Sequence, residues 1–210
     1  MIKKKYSWSK VIGQNWEAML RSTSTYKPRL YHCIVRWEAP QEGMMKFNTD
    51  GASRGNPGSS AYGFCLRNNH GDLIYAVAEN IGITTNMEAE LRAILEGIKY
   101  CVAKKVEKLI VESDSLLIVK IIKEVWKVPW ELADYFDDLK REMTKIEVTI
   151  QHIYREGNKL ADYLANLAIN ASEMKTFRSF EQLPSMGRKI MNMEKSQIPA
   201  LRVRTRKIFQ

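Results

Sequence analysis

The chain has 210 residues, 45% hydrophobic and 27% charged, and its 33 Lys/Arg against 24 Asp/Glu give a net charge of +9. That balance belongs to a globular protein and excludes collagenous, low-complexity and disordered chains, while no apolar run approaches the roughly 18 residues of a membrane helix. Cys33, Cys65 and Cys101 are odd in number and far apart, which fits buried thiols rather than a disulfide framework or a zinc knuckle. Met1-Ile2-Lys3-Lys4-Lys5 has the charge of a signal-peptide start, but Ser9, Lys10 and Gln14 break the apolar segment that must follow. An intracellular protein without membrane association is expected.

The charge is unevenly placed. Residues 1–45 hold eight Lys/Arg against three Asp/Glu, residues 46–172 sixteen against eighteen, and residues 173–210 nine against three. A mildly acidic middle between two basic ends suits an acidic site flanked by phosphate-binding arms better than a uniformly basic binding domain. Apolar periodicity is clear only in the middle, so the expected organisation is a basic N-terminal extension over 1–45, a folded domain over 46–172 and a basic C-terminal tail over 173–210.

Within that domain, Lys46–Asp50 reads as a strand entering a glycine-rich turn, Gly51–Gly58. Ala61–Arg67 alternates as a second strand, Asn68–Asp72 is turn chemistry, and Leu73–Ala78 returns as a third. Thr84 or Thr85 offers a cap to a helix carrying Leu91, Ile94, Leu95, Ile98 and Val102. Lys108–Glu112 is a buried strand, Ser113 caps a helix running to the Pro129 region, and Leu132, Phe136, Leu139 and Met143 mark another. Val148–Tyr154 is the fifth strand, and Asn158 starts a last helix with Ala161, Leu164, Ala165 and Ala168 on one face. The order βββ-α-β-α-α-β-α predicts an α/β fold: a five-stranded mixed sheet, with three antiparallel strands, then parallel additions, flanked by helices.

Four carboxylates fall where strands end or helices begin: Asp50, Glu90, Asp114 and Asp162. If the first and fourth strands are parallel neighbours, Asp50 and Asp114 meet at their carboxyl ends, the edge where α/β sheets hold ligands. Each residue has a plainer reading. Asp114 suits a helix cap, Asp162 a helix first turn, and Glu90 a surface ion pair. Jointly, massed carboxylates repel one another unless hard divalent cations such as Mg²⁺ neutralise them. Two such ions suit phosphodiester hydrolysis.

Four segments in order carry a family resemblance: Phe47–Gly58 (FNTDGASRGNPG), Thr85–Leu91 (TNMEAEL), Glu112–Ser115 (ESDS) and Arg155–Asp162 (REGNKLAD). They resemble the motifs of type 1 ribonuclease H, most nearly the ribonuclease H-like domains of plant proteins and plant non-LTR retroelements, where a Trp-x-x-Pro lead-in like Trp37–Pro40 often precedes the domain. The resemblance covers roughly residues 37–172 and extends weakly to the Leu183-Pro184 and Ile198-Pro199 tail. It implies a ribonuclease H-like fold and an endonuclease that cleaves the RNA strand of RNA–DNA hybrids, leaving a 3′-hydroxyl and a 5′-phosphate. By the same resemblance, Asp50, Glu90, Asp114 and Asp162 are the catalytic carboxylates and hold two Mg²⁺ ions, with Mn²⁺ as a substitute. Asn56 and Asn86 match positions that contact the hybrid's minor groove, and Thr85 matches a phosphate-contacting position. Arg155, in the loop before the fourth carboxylate, joins them as a substrate-binding candidate. A monomer is expected, with RNA–DNA hybrid or other nucleic acid as its partner.

The departures point the other way. The loop Tyr154–Asn158 lacks the histidine many members carry there, and His152 belongs to the strand pattern. Met87 and Leu116 stand where many relatives have amides that touch the hybrid, and Lys123–Trp130 is too short for the basic protrusion some members use to grip DNA. The alternative they support is a catalytically weak or inactive nucleic-acid-binding module of retroelement origin.

Overall fold

A computed structural model of the chain describes residues 29–206 together with Glu17. Most of the expected N-terminal extension, and the last four residues of the basic tail, lie outside the described residues. Strands β1 (Arg29–Val35) and β8 (Ala200–Arg206) pair as a two-stranded sheet. The described residues up to Ile34 and from Leu201 group apart from a larger unit, Val35–Ala200, which carries everything below.

In that unit β2 (Met45–Gly55), β3 (Gly58–Arg67) and β4 (Leu73–Thr84) form an antiparallel meander. The glycine-rich stretch expected as a turn is mostly strand. β2 continues to Gly55, opposite Gly58, and only Asn56-Pro57 turn the chain. Small residues read as turn chemistry here serve the ladder instead: Ser53 and Ser60 face each other across the strands, with the Ser60 hydroxyl 2.8 Å from the Ser53 oxygen. The second turn is as expected. The Asn68 side-chain oxygen accepts from the backbone N–H groups of His70 and Asp72, each at 2.9 Å, the self-bonding that makes asparagine a turn residue.

Helix α1 (Asn86–Ala103) is capped by the Thr85 hydroxyl, which accepts from Glu88 N–H at 3.2 Å. It ends before Lys105, whose φ of +57° is the left-handed conformation common just past a helix. Then follow β5 (Lys108–Ser113), a short α2 (Leu116–Ile122), α3 (Ala133–Met143), β6 (Glu147–His152) and α4 (Lys159–Ala168). The second helix stops well short of Pro129, although Val125 and Trp126 would continue its apolar pattern, because Glu124 takes a left-handed φ of +59° and the Val125 N–H turns back to the Lys120 carbonyl at 2.9 Å. The main sheet has six strands, not five, in the order β6-β5-β2-β3-β4-β7, with β5 parallel to β2 and β6 parallel to β5. The sixth, β7 (Lys175–Phe177), pairs antiparallel with β4 through Ala76–Ala78.

One face of the sheet packs on α1, α2 and α3 through Phe47, Leu91, Ile94, Leu109, Ile118 and Phe136. The other packs on α4 through Leu160, Leu164 and Ala168, joined by Ile190 and Met191 of helix α5 (Ser185–Lys195). The unit is therefore wider at both ends than the expected 46–172. On this second face Arg67 is fully buried: its guanidinium donates to Glu194 at 2.5 Å and to Asn48 Oδ1 at 2.7 Å, and it lies 3.7 Å from the ring centre of Trp37. Asn48 passes the network to Glu112 at 2.8 Å, and Glu112 accepts from Lys46 at 2.7 Å. Residues on both sides of the expected domain thus complete its core. Among the described residues no helix is long and apolar enough to cross a membrane.

Candidate active site

The parallel pairing of β2 with β5 sets Asn48 opposite Glu112 and Thr49 opposite Ser113, so Asp50, midway along β2, comes beside Asp114, the residue just past the end of β5. Glu90 arrives from the second turn of α1 because β2 has no side chain at Gly51. A Cβ there would sit 2.3 Å from Glu90 N and 2.6 Å from the Ala89 carbonyl carbon. The Gly51 backbone N–H and the Asn86 side chain both favour the ionised form of the Glu90 carboxylate. One oxygen each of Asp50, Glu90 and Asp114 lies within 4.8 Å of the others.

This trio is electrostatically unsatisfied. Burial is the main cause that pushes the Asp50 carboxyl up to about 10, with the charges of Glu90, Asp114 and Asp162 adding to it. Burial likewise raises Glu90 well above the ordinary carboxylate range, the Asp114 charge adding to it, and Asp114 is raised chiefly by burial. Glu90 Oε2 and Asp114 Oδ1 are buried without any hydrogen-bond partner. Oxygen donors gathered so closely, with lone pairs left over, fit a hard divalent cation.

Asp162 stands apart from the trio among the described residues. It occupies the first turn of α4, which lies directly on β3 because Gly63 leaves room: a Cβ there would be 2.3 Å from Ala165 N. The Asp162 carboxylate accepts from Arg155 Nη2 at 2.5 Å, and its charge is still felt at Asp50 and Asp114. Arg155 opens a single 3₁₀ turn, Arg155–Gly157, and its positive charge reaches Glu90 and Asp114. Of the other candidates, Asn56 and Asn86 come together, the Asn56 side-chain oxygen accepting from Asn86 N–H at 3.1 Å, while the Thr85 hydroxyl is engaged in capping α1. His152 ends β6 and packs edge-on against Tyr154 at 5.5 Å between ring centres. Met87 packs against the core, and Leu116 is 47% exposed at the start of α2, two residues past Asp114.

Sequence reasoning missed Asn158 as a positioning group. It is buried, and its amide donates to the Thr49 carbonyl at 2.8 Å, tying the start of α4 to the part of β2 that carries Asp50. The motif Gly-Asn before the helix was a visible signal, but it reads equally as a helix start.

Comparison with known proteins gives a consistent picture. A family model described as reverse transcriptase-like matches residues 48–168. An Arabidopsis thaliana protein bearing a ribonuclease H designation is 36% identical over 155 residues, covering 72% of this chain and 24% of its own length. Ribonuclease HI of Halobacterium salinarum is 31% identical over 130 residues, covering 58% of this chain and 62% of its own. The chain thus spans less than two thirds of either relative. Among solved structures, the N-terminal RNase H domain of a Mycobacterium tuberculosis protein aligns with a TM-score of 0.59 at 28% identity, over 60% of this chain and 99% of that one. LC11-RNase H1, solved in complex with an RNA/DNA hybrid, aligns with a TM-score of 0.57 at 30% identity, over 60% and 96%.

Proposed function

The chain belongs to the type 1 ribonuclease H family, and from that premise we propose that it is a metal-dependent endonuclease that hydrolyses the RNA strand of RNA–DNA hybrids. The observation that carries this reading is the buried Asp50–Glu90–Asp114 cluster, with unpartnered oxygens on Glu90 and Asp114. Mutually repelling carboxylates destabilise a metal-free fold, and cation binding gives them a use.

Asp50, Glu90 and Asp114 would hold the first divalent ion and Asp162 the second; Mg²⁺ is the expected metal, with Mn²⁺ as a substitute. Bound ions supply charge neutralisation at the reacting phosphate and a nucleophile at neutral pH. The protein's part is positioning. The pairing of β2 with β5 fixes Asp50 and Asp114, the contact at Gly51 fixes Glu90, and Asn86, at the start of α1 with its N–H donated to Asn56 of the β2–β3 turn, steadies the Glu90 carboxylate. Water adds to phosphorus, the bond to the 3′-oxygen breaks, and that oxygen takes a proton, leaving a 3′-hydroxyl and a 5′-phosphate. Selectivity for RNA rests on the 2′-hydroxyl, the covalent feature that separates its backbone from DNA. Asn56 and Asn86 carry the amides suited to read it, and Thr85 and Arg155 the groups suited to phosphate.

The similarity to a plant relative supports a plant, retroelement-derived lineage for this chain. A second reading, a binding module that no longer cleaves, is favoured by the Arg155–Asp162 ion pair and by the apolar Leu116 exposed beside Asp114. Incubation with end-labelled RNA–DNA hybrid, double-stranded RNA and double-stranded DNA, in Mg²⁺ or in EDTA, separates the two. Hybrid cleavage only in Mg²⁺, with 5′-phosphate ends, supports the enzyme. Hybrid binding with a steep salt dependence and no products supports the module.

A further inference from the structure

The ion pair between Arg155 and Asp162 joins two residues that the proposed function uses separately. Asp162 is only 29% exposed, whereas the Arg155 side chain is 69% exposed and hangs from a single turn. The guanidinium donates to Asp162 Oδ1 at 2.5 Å while its charge reaches Asp50, Glu90 and Asp114. Three carboxylates are gathered for one cation, and the fourth is held by a cation the protein already owns.

We propose that Arg155 is an internal counter-cation that keeps Asp162 from divalent ions until it is displaced, so that the two ions load in order. This rests on the reading of Asp50, Glu90 and Asp114 as a cation site. Charge decides the order. With all four carboxylates ionised, Arg155 leaves a net charge of −3. A first divalent ion at the trio brings it to −1 with the guanidinium in place. A second ion at Asp162 brings the cluster to +1 if Arg155 stays and to zero if it leaves. The first ion therefore tolerates Arg155, and the second competes with it for the same carboxylate oxygen and is repelled by its charge. Exposure makes the exchange feasible, since a solvated guanidinium loses little on leaving its partner. Once released, its planar donors are suited to an anionic phosphate oxygen near Asp162. By linkage, whatever anion takes Arg155 must tighten the second ion, and the second ion must tighten that anion.

The test is calorimetric titration of Mn²⁺, without nucleic acid, into the wild type and into Arg155→Met, Arg155→Lys, Asp162→Asn and Asp50→Asn. Thermal unfolding in EDTA confirms that each is folded. Arg155→Met is expected to bind the second ion about 3- to 10-fold more tightly with the first unchanged, the size of an exposed ion pair plus the removed repulsion. Arg155→Lys, which keeps the charge, should stay nearer the wild type, and Asp162→Asn should lose the second ion alone. A second-ion affinity in Arg155→Met equal to or weaker than that of the wild type overturns the counter-cation role while leaving the cation site standing. Mn²⁺ binding that Asp50→Asn does not weaken overturns the cation site itself, and this inference with it.

Discussion

Replacing Gly51 by alanine tests how the site is assembled. The added Cβ would lie 2.3 Å from Glu90 N, 2.6 Å from the Ala89 carbonyl carbon and 2.7 Å from Glu90 Cα, where ordinary contact begins at 3.4 Å. All three neighbours are backbone, so no side chain can turn away; α1 must retreat from β2 by about 1 Å to restore normal contact. Overpacking of this kind costs about 1–3 kcal/mol of stability. The retreat also carries the Glu90 carboxylate away from the Gly51 N–H that favours its ionised form, and from Asp50 and Asp114. A displacement of about 1 Å in a reacting geometry costs on the order of 100-fold in rate. Single-turnover cleavage of an RNA–DNA hybrid at saturating Mg²⁺, with urea denaturation beside it, reads both effects. Cleavage within threefold of the wild type, at unchanged stability, would refute the claim that this contact places Glu90.

Four further outcomes follow from the buried charges. Asp50, Glu90 and Asp114 are raised in the metal-free fold, so above pH 4 the native state binds more protons than the unfolded chain and stability falls as pH rises. Denaturation in EDTA should show stability falling between pH 5 and 8, by about 1.4 kcal/mol per pH unit from the Asp50 proton alone, and a flat profile would contradict the raised carboxyls. Saturating Mg²⁺ should flatten that slope, and Asp50→Asn should make the metal-free protein more stable than the wild type at pH 8, as melting curves will show. On the far face, Glu194→Ala leaves the buried Arg67 guanidinium without its carboxylate and should cost about 3–5 kcal/mol in urea denaturation. A loss below about 1 kcal/mol would mean that α5 is not part of the folded unit.

The legible part of the molecule was the part governed by local periodicity. β5 announces itself through Leu109-Ile110-Val111, α1 through its apolar stripe, and the pairing of β2 with β5 follows from the crossover, which is enough to bring Asp50 beside Asp114. Other parts of the fold are not carried by periodicity. β7 is three residues long, too short to show alternation. Helix α5 hides Ile190, Met191 and Glu194 among basic residues, so residues 173–200 looked like a tail although they complete the core. Ala52 to Gly55 read as a turn because small and polar residues favour turns, yet the ladder with β3 holds them extended. Arg67 looked like the charged end of a strand; its burial depends on Trp37 and Glu194, both far away in sequence. The Arg155–Asp162 pair was likewise invisible, since seven residues separate the partners and neither spacing nor composition fixes a side chain's direction across a 3₁₀ turn.

The central claim is that Asp50, Glu90 and Asp114 act as one reactive centre. The most direct measurement is the single-turnover rate of hybrid cleavage in Mg²⁺ for the wild type beside Asp50→Asn, Glu90→Gln and Asp114→Asn, each verified as folded. Cleavage by the wild type should require Mg²⁺, and every variant should lose on the order of 1,000-fold or more, because residues that act as a unit fail together. A folded variant that cleaves within tenfold of the wild type would contradict it.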